Sequence, residues 1–323
     1  MTRVCLGIES TAHTFGVGLI DEKGNVLFDE KSFYQPPLGQ GMLPRKVFEY
    51  HAENAASLIK KAFETSKIDI IAFSQGPGLP NCLSLGATIA RYLSLKHNLP
   101  LVGVNHPIAH IEIAKLMTGA KDPVILYCSG GNTQIIALTG NRYRIFGETL
   151  DIPIGNAFDV LARSLGLEMP GGPKIEKLAE NGNWIDLPYV VKGMDFSFSG
   201  IVTECQKLYK KGFKKEDIAY SFQETCFSML IEATERALAH TEKEEVLVTG
   251  GVAANQRLKN MLEVMCKDRG AKVFSVPMKY AGDNGVMIGW TGLIMYKSGV
   301  RTKLEESFIL KDWRVDEVDV KWT

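Results

Sequence analysis

Residues 4–20, VCLGIESTAHTFGVGLI, contain two apolar runs that flank a small polar turn. Short runs rich in Val, Ile and Phe with a polar turn between them are typical of a β-hairpin. A second polar turn, DEKGN at 21–25, follows the second run. The stretch therefore predicts a hairpin, then another turn and a third strand.

The same pattern returns in residues 124–138, VILYCSGGNTQIIAL. When residues 7–26 are aligned without gaps to residues 126–145, the two predicted hairpins and their turns coincide. Few residues are identical, Ser10 and Ser129 among them. Patterns of helices and buried strands follow each copy. The repeat predicts two related α/β halves, and the alternative is two unrelated hairpins in one α/β protein.

Two α/β halves that each open with a hairpin are the architecture of the actin-like ATPases and sugar kinases. Each hairpin turn there directs backbone N–H groups and hydroxyls at phosphate oxygens. We therefore predict an actin-like (ASKHA), two-lobed α/β fold with duplicated mixed sheets and an interlobe nucleotide cleft. The first lobe is expected over residues 1–122, completed by 284–323, and the second over 123–283.

Composition limits the function classes. The 323 residues include 37 Lys plus Arg and 37 Asp plus Glu, so the net charge is zero and nucleic-acid binding requires a local patch or basic partners. No apolar run is long enough to span a bilayer, and the N-terminus lacks signal-peptide architecture. Six scattered cysteines without a Cys-x-x-Cys pair predict buried, reduced thiols and a cytoplasmic protein.

Apolar periodicity outlines the other elements. It predicts helices over 43–66, 86–97, 156–165, 254–269 and 283–296, and further strands over 69–73, 101–104, 143–146, 245–249 and 273–276. A loop is expected at 75–80, QGPGLP.

Residues 106–110, HPIAH, are the most distinctive motif. Proline favours the first helical position, so a helix is predicted to start here, with His106 and His110 on one face and able to share a metal. The zinc-protease motif is excluded, because Pro107 stands where its general base Glu would be. Two histidines are too few for a stable site, so other ligands must come from elsewhere. The alternative is a helix end with two polar histidines.

Asp283 and Tyr127 are candidate further ligands. Asp283 stands at the start of the predicted helix over 283–296, so N-capping is an alternative role. Tyr127 lies at the end of the strand that enters the polar turn SGGNT at 129–133, and its phenolic oxygen would suit a Lewis-acidic iron.

Two glycine pairs mark candidate nucleotide contacts. Gly130 and Gly131 let an anion approach the backbone, and Ser129 adds a hydroxyl. The pair at 250–251 stands between a strand and a helix, with Asn255 offering an amide, and the alternative there is a tight strand-to-helix turn.

A third glycine pair, in GGP at 171–173, opens another predicted helix with Glu176 in its first turn. Glu176 is either a ribose ligand or an acid favoured near a helix N-terminus. Asp159, in the helix over 156–165, is either a ligand or a solvated face residue.

Residues 207–215, KLYKKGFKK, carry five lysines and two aromatic residues. They are either a contact for nucleic-acid phosphates or, as we favour, a solvated helix end and turn.

Several of these segments together resemble the TsaD/Gcp/OSGEP family in its archaeal and eukaryotic KEOPS branch. The resemblance runs in order from residue 4 to about residue 322, and is carried by residues 7–14, the glycine-proline loop after Phe73, and residues 104–110, 127–133, 146–151, 192–200, 250–255 and 283–285.

The resemblance implies an acyltransferase, a tRNA N6-adenosine threonylcarbamoyltransferase. Such an enzyme moves the threonylcarbamoyl group of threonylcarbamoyl-AMP to the adenosine that follows the anticodon, in tRNAs reading codons that begin with A. It implies one Fe²⁺ (or Zn²⁺) per subunit, held by His106, His110, Tyr127 and Asp283. It also implies adenylate binding, with ATP as a further candidate ligand, by Tyr127, Cys128, Ser129, Gly130, Gly131, Asp159, Gly172, Glu176 and Asn255.

The implied partners are tRNA, a small atypical protein kinase subunit and small accessory subunits of a KEOPS complex. The kinase is expected as a separate chain because the kinase domain fused to some archaeal members is absent here. One departure from the family is Pro80, which replaces a glycine of the loop Gly-Pro-Gly-Leu-Gly-Pro. Rival interpretations are an actin-like ATPase or kinase, which would have no need of His106 and His110, and a nucleotide-gated scaffold without catalytic activity.

Overall fold

The structure, a computed structural model, describes residues 2–36 and 43–322. The strands are β1 Val4–Glu9, β2 Thr14–Asp21, β3 Val26–Phe33, β4 Ile70–Gly76, β5 Leu101–Asn105, β6 Val124–Cys128, β7 Thr133–Thr139, β8 Arg142–Glu148, β9 Val191–Lys192, β10 Asp195–Phe196, β11 Glu245–Thr249 and β12 Lys272–Ser275. The helices are α1 Pro44–Thr65, α2 Pro80–His97, α3 His106–Thr118, α4 Ile154–Ser164, α5 Gly171–Ala179, α6 Ser199–Lys210, α7 Lys215–Thr241, α8 Gln256–Asp268, α9 Met278–Ala281 and α10 Gly285–Lys297, with short 3-10 turns at Gly251–Ala254, Leu304–Glu306 and Val315–Glu317.

The chain forms two units. The first comprises Met1–Leu116, Gly140–Arg142 and Asp283–Thr323, and the second comprises Met117–Thr139 and Tyr143–Gly282. Each unit contains one five-stranded sheet with helices packed against it.

The two sheets have the same strand order, which confirms the predicted repeat of pattern. The first runs β3-β2-β1-β4-β5 and the second β8-β7-β6-β11-β12. In both, the opening hairpin is antiparallel. The next strand (β4 or β11) pairs in parallel with the first hairpin strand, and the last strand (β5 or β12) pairs in parallel with that one. Both sheets are therefore mixed, as predicted.

Every residue of β1 and β2 is buried, because the sheet is covered on both faces. On one face α10 rests directly on the hairpin backbone. A Cβ atom at Gly7 would lie 2.0 Å from the Gly285 carbonyl oxygen, and one at Gly18 would lie 2.3 Å from the Val286 nitrogen. This close approach requires glycine, and it fixes where the residues just before α10 lie.

α2 begins at Pro80, six residues before the predicted start at residue 86. Proline suits the first helical position, where its missing N–H has no helical partner to lose, and it therefore starts the helix. The preceding loop is held by hydrogen bonds from the Gly78 nitrogen to the Lys311 carbonyl oxygen at 3.1 Å and from the Leu79 nitrogen to the Thr11 carbonyl oxygen at 2.8 Å. The substitution at Pro80 is thus accommodated as a helix start.

All six cysteines are free and buried, as predicted from their apolar surroundings. Within residues 2–36 and 43–322, no helix combines the length and the hydrophobicity needed to cross a membrane.

Candidate functional site

The two histidines of the HPIAH motif open α3 as predicted. The helix starts at His106 directly after β5, and the Asn105 side-chain oxygen accepts a hydrogen bond from the Ile108 nitrogen at 3.2 Å. The four-residue spacing puts His106 and His110 on one face, with ring centroids 4.8 Å apart. Both histidines are buried at the start of this helix.

Asp283 reaches these histidines from a distant part of the sequence. Its Oδ1 lies 3.1 Å from His110 Nε2 and 3.5 Å from His106 Nε2. N-capping of α10 is performed by Asn284, whose side-chain oxygen accepts from the Met287 nitrogen at 2.9 Å. The capping role considered for Asp283 is therefore wrong, and its carboxylate is directed at the histidines instead.

The three side chains form a group that fits a metal ion. Their ligand atoms all lie within 4.8 Å of one another. The side chains are only 9%, 1% and 15% exposed for His106, His110 and Asp283. Two imidazole nitrogens and one carboxylate oxygen are donors that suit a transition-metal cation.

Burial and charge act against each other in this group. Burial alone would lower the pKa of His106, but the carboxylates of Glu9 and Asp283 raise it to about 9. At His110 burial prevails over Asp283, and the pKa is lowered. Burial would raise the pKa of Asp283, but the charge of His106 and the hydrogen bond from His110 hold it well below its usual value. A cation that used His106 Nε2 as a ligand would have to displace a proton from that nitrogen.

Glu9 is a member of the group that the sequence analysis did not single out. It ends β1, is fully buried, and its Oε2 lies 2.9 Å from His106 Nδ1. The sequence signal that could have identified Glu9 is its place at the end of an apolar run, because a carboxylate is almost never buried unless it is paired.

In the second unit, the turn between β6 and β7 is open around its glycines. The Ser129 hydroxyl accepts from the Asn132 nitrogen at 2.9 Å, while a Cβ at Gly130 or Gly131 would meet nothing within 4 Å. The turn also receives the start of α4, because the Gly155 nitrogen donates to the Ser129 carbonyl oxygen at 3.3 Å. The backbone at these glycines is therefore accessible to an anion.

Asp159 and Gly172 meet at the start of α5. Asp159, on α4, accepts a hydrogen bond from the Gly171 nitrogen at 2.8 Å. Gly171 packs against α4, where a Cβ would lie 2.6 Å from the Ala162 side chain, whereas a Cβ at Gly172 would meet nothing within 4 Å. Asp159 thus orients a helix N-terminus, which excludes the alternative of a merely solvated residue.

Glu176 and Asn255 meet at the start of α8. Glu176 Oε1 accepts from the Gln256 nitrogen at 2.7 Å, and the Asn255 side chain caps the helix by accepting from the Leu258 nitrogen at 3.1 Å. Asn255 also donates to Gln223 Oε1 at 2.9 Å. The expected position of Glu176 is wrong, because the first turn of α5 contains no acid and Glu176 follows in the second turn.

The ends of β6 and β11 bring these segments together. Tyr127 pairs with Thr249 across the two strands, and a Cβ at Gly250 would lie 2.3 Å from the Cys128 carbonyl oxygen. The residues predicted to bind the adenylate all belong to the second unit, whereas the two histidines and Asp283 belong to the first. Tyr127 is fully buried on β6, and its role as a further metal ligand stays a prediction.

The lysine-rich run forms the end of α6 and the turn into α7, as we favoured. Lys210, Lys211 and Lys214 are exposed, and Lys215 lies over the Tyr209 ring at 5.5 Å.

Comparison with known proteins identifies relatives over the whole chain. The family model described as "TsaD: tRNA N6-adenosine threonylcarbamoyltransferase" matches residues 24–290. A tRNA N6-adenosine threonylcarbamoyltransferase of Archaeoglobus fulgidus is 55% identical over 323 residues, which cover 99% of both chains. A probable bifunctional tRNA threonylcarbamoyladenosine biosynthesis protein of Methanocaldococcus jannaschii is 53% identical over 99% of this chain and 60% of its own length.

A solved structure of full-length HypF in a phosphate- and nucleotide-bound form aligns with 91% of this chain at a TM-score of 0.62 and 16% identity. At that identity the likeness concerns the fold alone. Together with the duplicated mixed sheets, it confirms the predicted actin-like fold class.

Proposed function

The chain belongs to the tRNA N6-adenosine threonylcarbamoyltransferase family, and we propose that it transfers the threonylcarbamoyl group from threonylcarbamoyl-AMP to N6 of the adenosine that follows the anticodon in tRNA. The names of its relatives support a tRNA threonylcarbamoyltransferase. The observation that carries the proposal beyond those names is the convergence of His106, His110 and Asp283, which a plain ATPase or kinase of this fold would not need.

We propose that these three residues hold an iron(II) ion, with Tyr127 as a further ligand. Two histidines and one carboxylate are the ligand set of many non-haem iron(II) sites, and zinc is the alternative for the same donors. When bound, the metal would act as a Lewis acid that polarises and orients the acyl group. The residues keep both Nε2 atoms and the Asp283 carboxylate oriented toward one point.

The adenylate is proposed to bind at the ends of β6 and β11. The backbone at Gly130 and Gly131 is open to phosphate oxygens, and Ser129 offers a hydroxyl. Asp159 orients the start of α5 at Gly171, next to Gly172.

Glu176 and Asn255 are proposed to contact the adenosine from the start of α8. Both have side-chain oxygens engaged by helix N–H groups, and these bonds hold the side chains at the helix terminus. Ribose hydroxyls would donate to the carboxylate of Glu176, which keeps lone pairs for them.

The proposed reaction is an acyl transfer in which the atoms balance without a further reactant. A bond forms between N6 of adenine and the carbamoyl carbon, and the bond from that carbon to the phosphate oxygen of AMP breaks. The released AMP accepts the proton that N6 loses. The amine is a poor nucleophile, so positioning of both substrates contributes much of the acceleration.

The proposed partners are tRNA, a small atypical protein kinase subunit and small accessory subunits of a KEOPS complex. Because the net charge is zero, the chain alone has little electrostatic attraction for RNA phosphates. The relative from M. jannaschii has a bifunctional name, and the part of it that matches this chain is 60% of its length.

Reconstitution tests the proposal. The purified chain and its partner subunits are incubated with tRNA, threonine, bicarbonate, ATP and the synthase of the adenylate, and modified adenosine is measured by mass spectrometry. Product that disappears when the chain is omitted supports the transferase. ATP consumption without modified tRNA supports the ATPase or kinase, and complex assembly with neither product supports the scaffold.

A further inference from the structure

Glu9 is a buried carboxylate whose hydrogen bonds are all made within the first unit. It is the last residue of β1 and has no exposed surface. Its Oε1 accepts from the Thr11 nitrogen at 2.7 Å and from the Thr11 hydroxyl at 2.5 Å, and its Oε2 lies 2.9 Å from His106 Nδ1. Burial of a carboxylate is strongly unfavourable unless such partners compensate it, so this arrangement restricts the carboxylate to one orientation.

The two ring nitrogens of His106 face different groups. Nδ1 faces Glu9 at 2.9 Å and the Thr11 hydroxyl at 3.3 Å. Nε2 faces the opposite way, at 3.5 Å from Asp283 Oδ1. Because an ionised carboxylate only accepts hydrogen bonds, the proton of a neutral His106 belongs on Nδ1, and the lone pair on Nε2 is directed at Asp283.

The turn that carries Glu9 and Thr11 is itself held on three sides. The Ser10 nitrogen donates to the Ser74 hydroxyl at 3.0 Å, and the Leu79 nitrogen donates to the Thr11 carbonyl oxygen at 2.8 Å. A Cβ at Gly86 would lie 2.1 Å from the Ser10 hydroxyl, so α2 packs closely against the turn. The position of Glu9 is therefore set by β4 and α2 as well as by its own strand.

We propose that Glu9 is the positioning residue for His106, and that it fixes the Nδ1–H tautomer and the ring orientation that present Nε2 to the metal. This inference rests on the proposed function, because it assumes that His106 is a metal ligand. Carboxylates that hold the second nitrogen of a ligating histidine raise its basicity, and their removal typically lowers metal affinity about 10- to 100-fold. Glu9 contributes no atom to the metal, so it supports the site without being part of the ligand set.

The Glu9→Gln variant separates this role from simple core packing, because it keeps the size of the side chain and loses the charge. We expect its dissociation constant for Zn²⁺, measured by competition with a chromophoric chelator, to rise about 10- to 100-fold. With Co²⁺ as probe, the visible absorption bands of the variant should shift, because the basicity and orientation of one ligand have changed.

Glu112→Gln is the matched control. Glu112 is also a buried carboxylate of the first unit, lies on α3 with the two histidines, and accepts a hydrogen bond from Trp322 Nε1 at 3.1 Å. This variant should keep the affinity and the Co²⁺ spectrum of the original chain. Equal loss of metal in both variants would show that any neutralised buried carboxylate weakens the unit, and would overturn the proposal.

His106→Ala distinguishes failure of this inference from failure of the proposed function. If His106→Ala loses the metal and Glu9→Gln binds it like the original chain, Glu9 has only a packing role. If His106→Ala keeps the metal, the proposed metal site is wrong and the inference falls with it.

A second measurement avoids variants that fail to fold. In the Zn²⁺-loaded original chain with ¹⁵N-labelled histidine, the His106 ring should give an Nδ1 resonance coupled to a proton and an Nε2 resonance typical of a metal ligand. Nδ1 as the metal-bound nitrogen would overturn the proposal.

Discussion

The two hairpin turns occupy equivalent places in the two sheets and differ in almost everything else. Residues 10–13 connect β1 to β2, and residues 129–132 connect β6 to β7. In the first turn Ser10 and Thr11 are buried and bonded to neighbouring elements. In the second, Gly130 and Gly131 are exposed, and a Cβ atom on either would meet nothing within 4 Å.

The comparison shows that strand order does not determine the chemistry of a turn. The same hairpin supports a rigid, buried carboxylate beside His106 in one unit and an open glycine backbone in the other. The backbone of the first turn bonds to Ser74 of β4 and to Leu79 just before α2, whereas the second turn is held mainly by the Ser129 side chain and leaves open space beside its two glycines. We therefore expect substitutions near the first turn to affect the metal and the stability, and substitutions near the second to affect the nucleotide.

The largest effect is expected from His106→Ala and Asp283→Ala. Each removes one of three ligands, so metal content measured by elemental analysis should fall to background and transfer activity by about a thousand-fold or more, given the several kcal/mol that a Lewis-acid metal contributes. Both variants should remain folded by circular dichroism. His97→Ala, at the end of α2 where the ring stacks on Phe63, is the control and should keep its metal. Full metal occupancy in His106→Ala would disprove the ligand assignment.

Alanine substitutions of glycine should separate the two turns. Gly18→Ala places a methyl group 2.3 Å from the backbone of α10, and we expect the free energy of unfolding to fall by about 1–3 kcal/mol or more. Gly131→Ala meets no neighbour, so thermal denaturation should be unchanged while affinity for the adenylate falls about tenfold. A destabilised Gly131→Ala with normal nucleotide affinity would contradict the distinction between the turns.

Truncation of Glu176 or Asn255 should weaken adenylate binding while the metal stays. For Asn255→Ala we also expect a loss of about 1 kcal/mol in stability, because the cap of α8 is removed. Calorimetry with AMP or an adenylate analogue measures the affinity. Gln256→Ala is the control, since its exposed side chain donates to Asn260 Oδ1 at 2.8 Å on the same helix. Unchanged affinity in both truncated variants would leave these residues with helix-terminal roles alone.

The smallest effect is expected from the lysine run of the second unit. The lone chain should bind tRNA weakly in filter-binding assays at physiological salt, and the partner subunits should raise the affinity greatly. Replacing Lys210, Lys211, Lys214 and Lys215 by Ala in the complex should change that affinity only a few-fold, because these lysines lie on a solvated turn. Tight binding by the lone chain that the fourfold variant loses would make the run the tRNA site.

The sequence by itself determined the two hairpins, the repeat of pattern and the pairing of His106 with His110. These features depend on periodicity within a few residues: alternation along a strand, and a four-residue step along a helix. Motif resemblance added the family and a list of candidate residues. Apolar spacing predicted the ends of helices least well. Pro80 begins α2 and Asn284 caps α10, and spacing alone revealed neither start.

Only the tertiary structure brought Asp283 to His110, 173 residues away in the chain, and Glu9 to His106, 97 residues away. It likewise decided that Glu176 and Asn255 share the start of α8. The physical reason is that such contacts depend on the approach of whole elements. α10 can rest on the first hairpin only because glycines face each other there, and that approach places the carboxylate just before α10 beside α3.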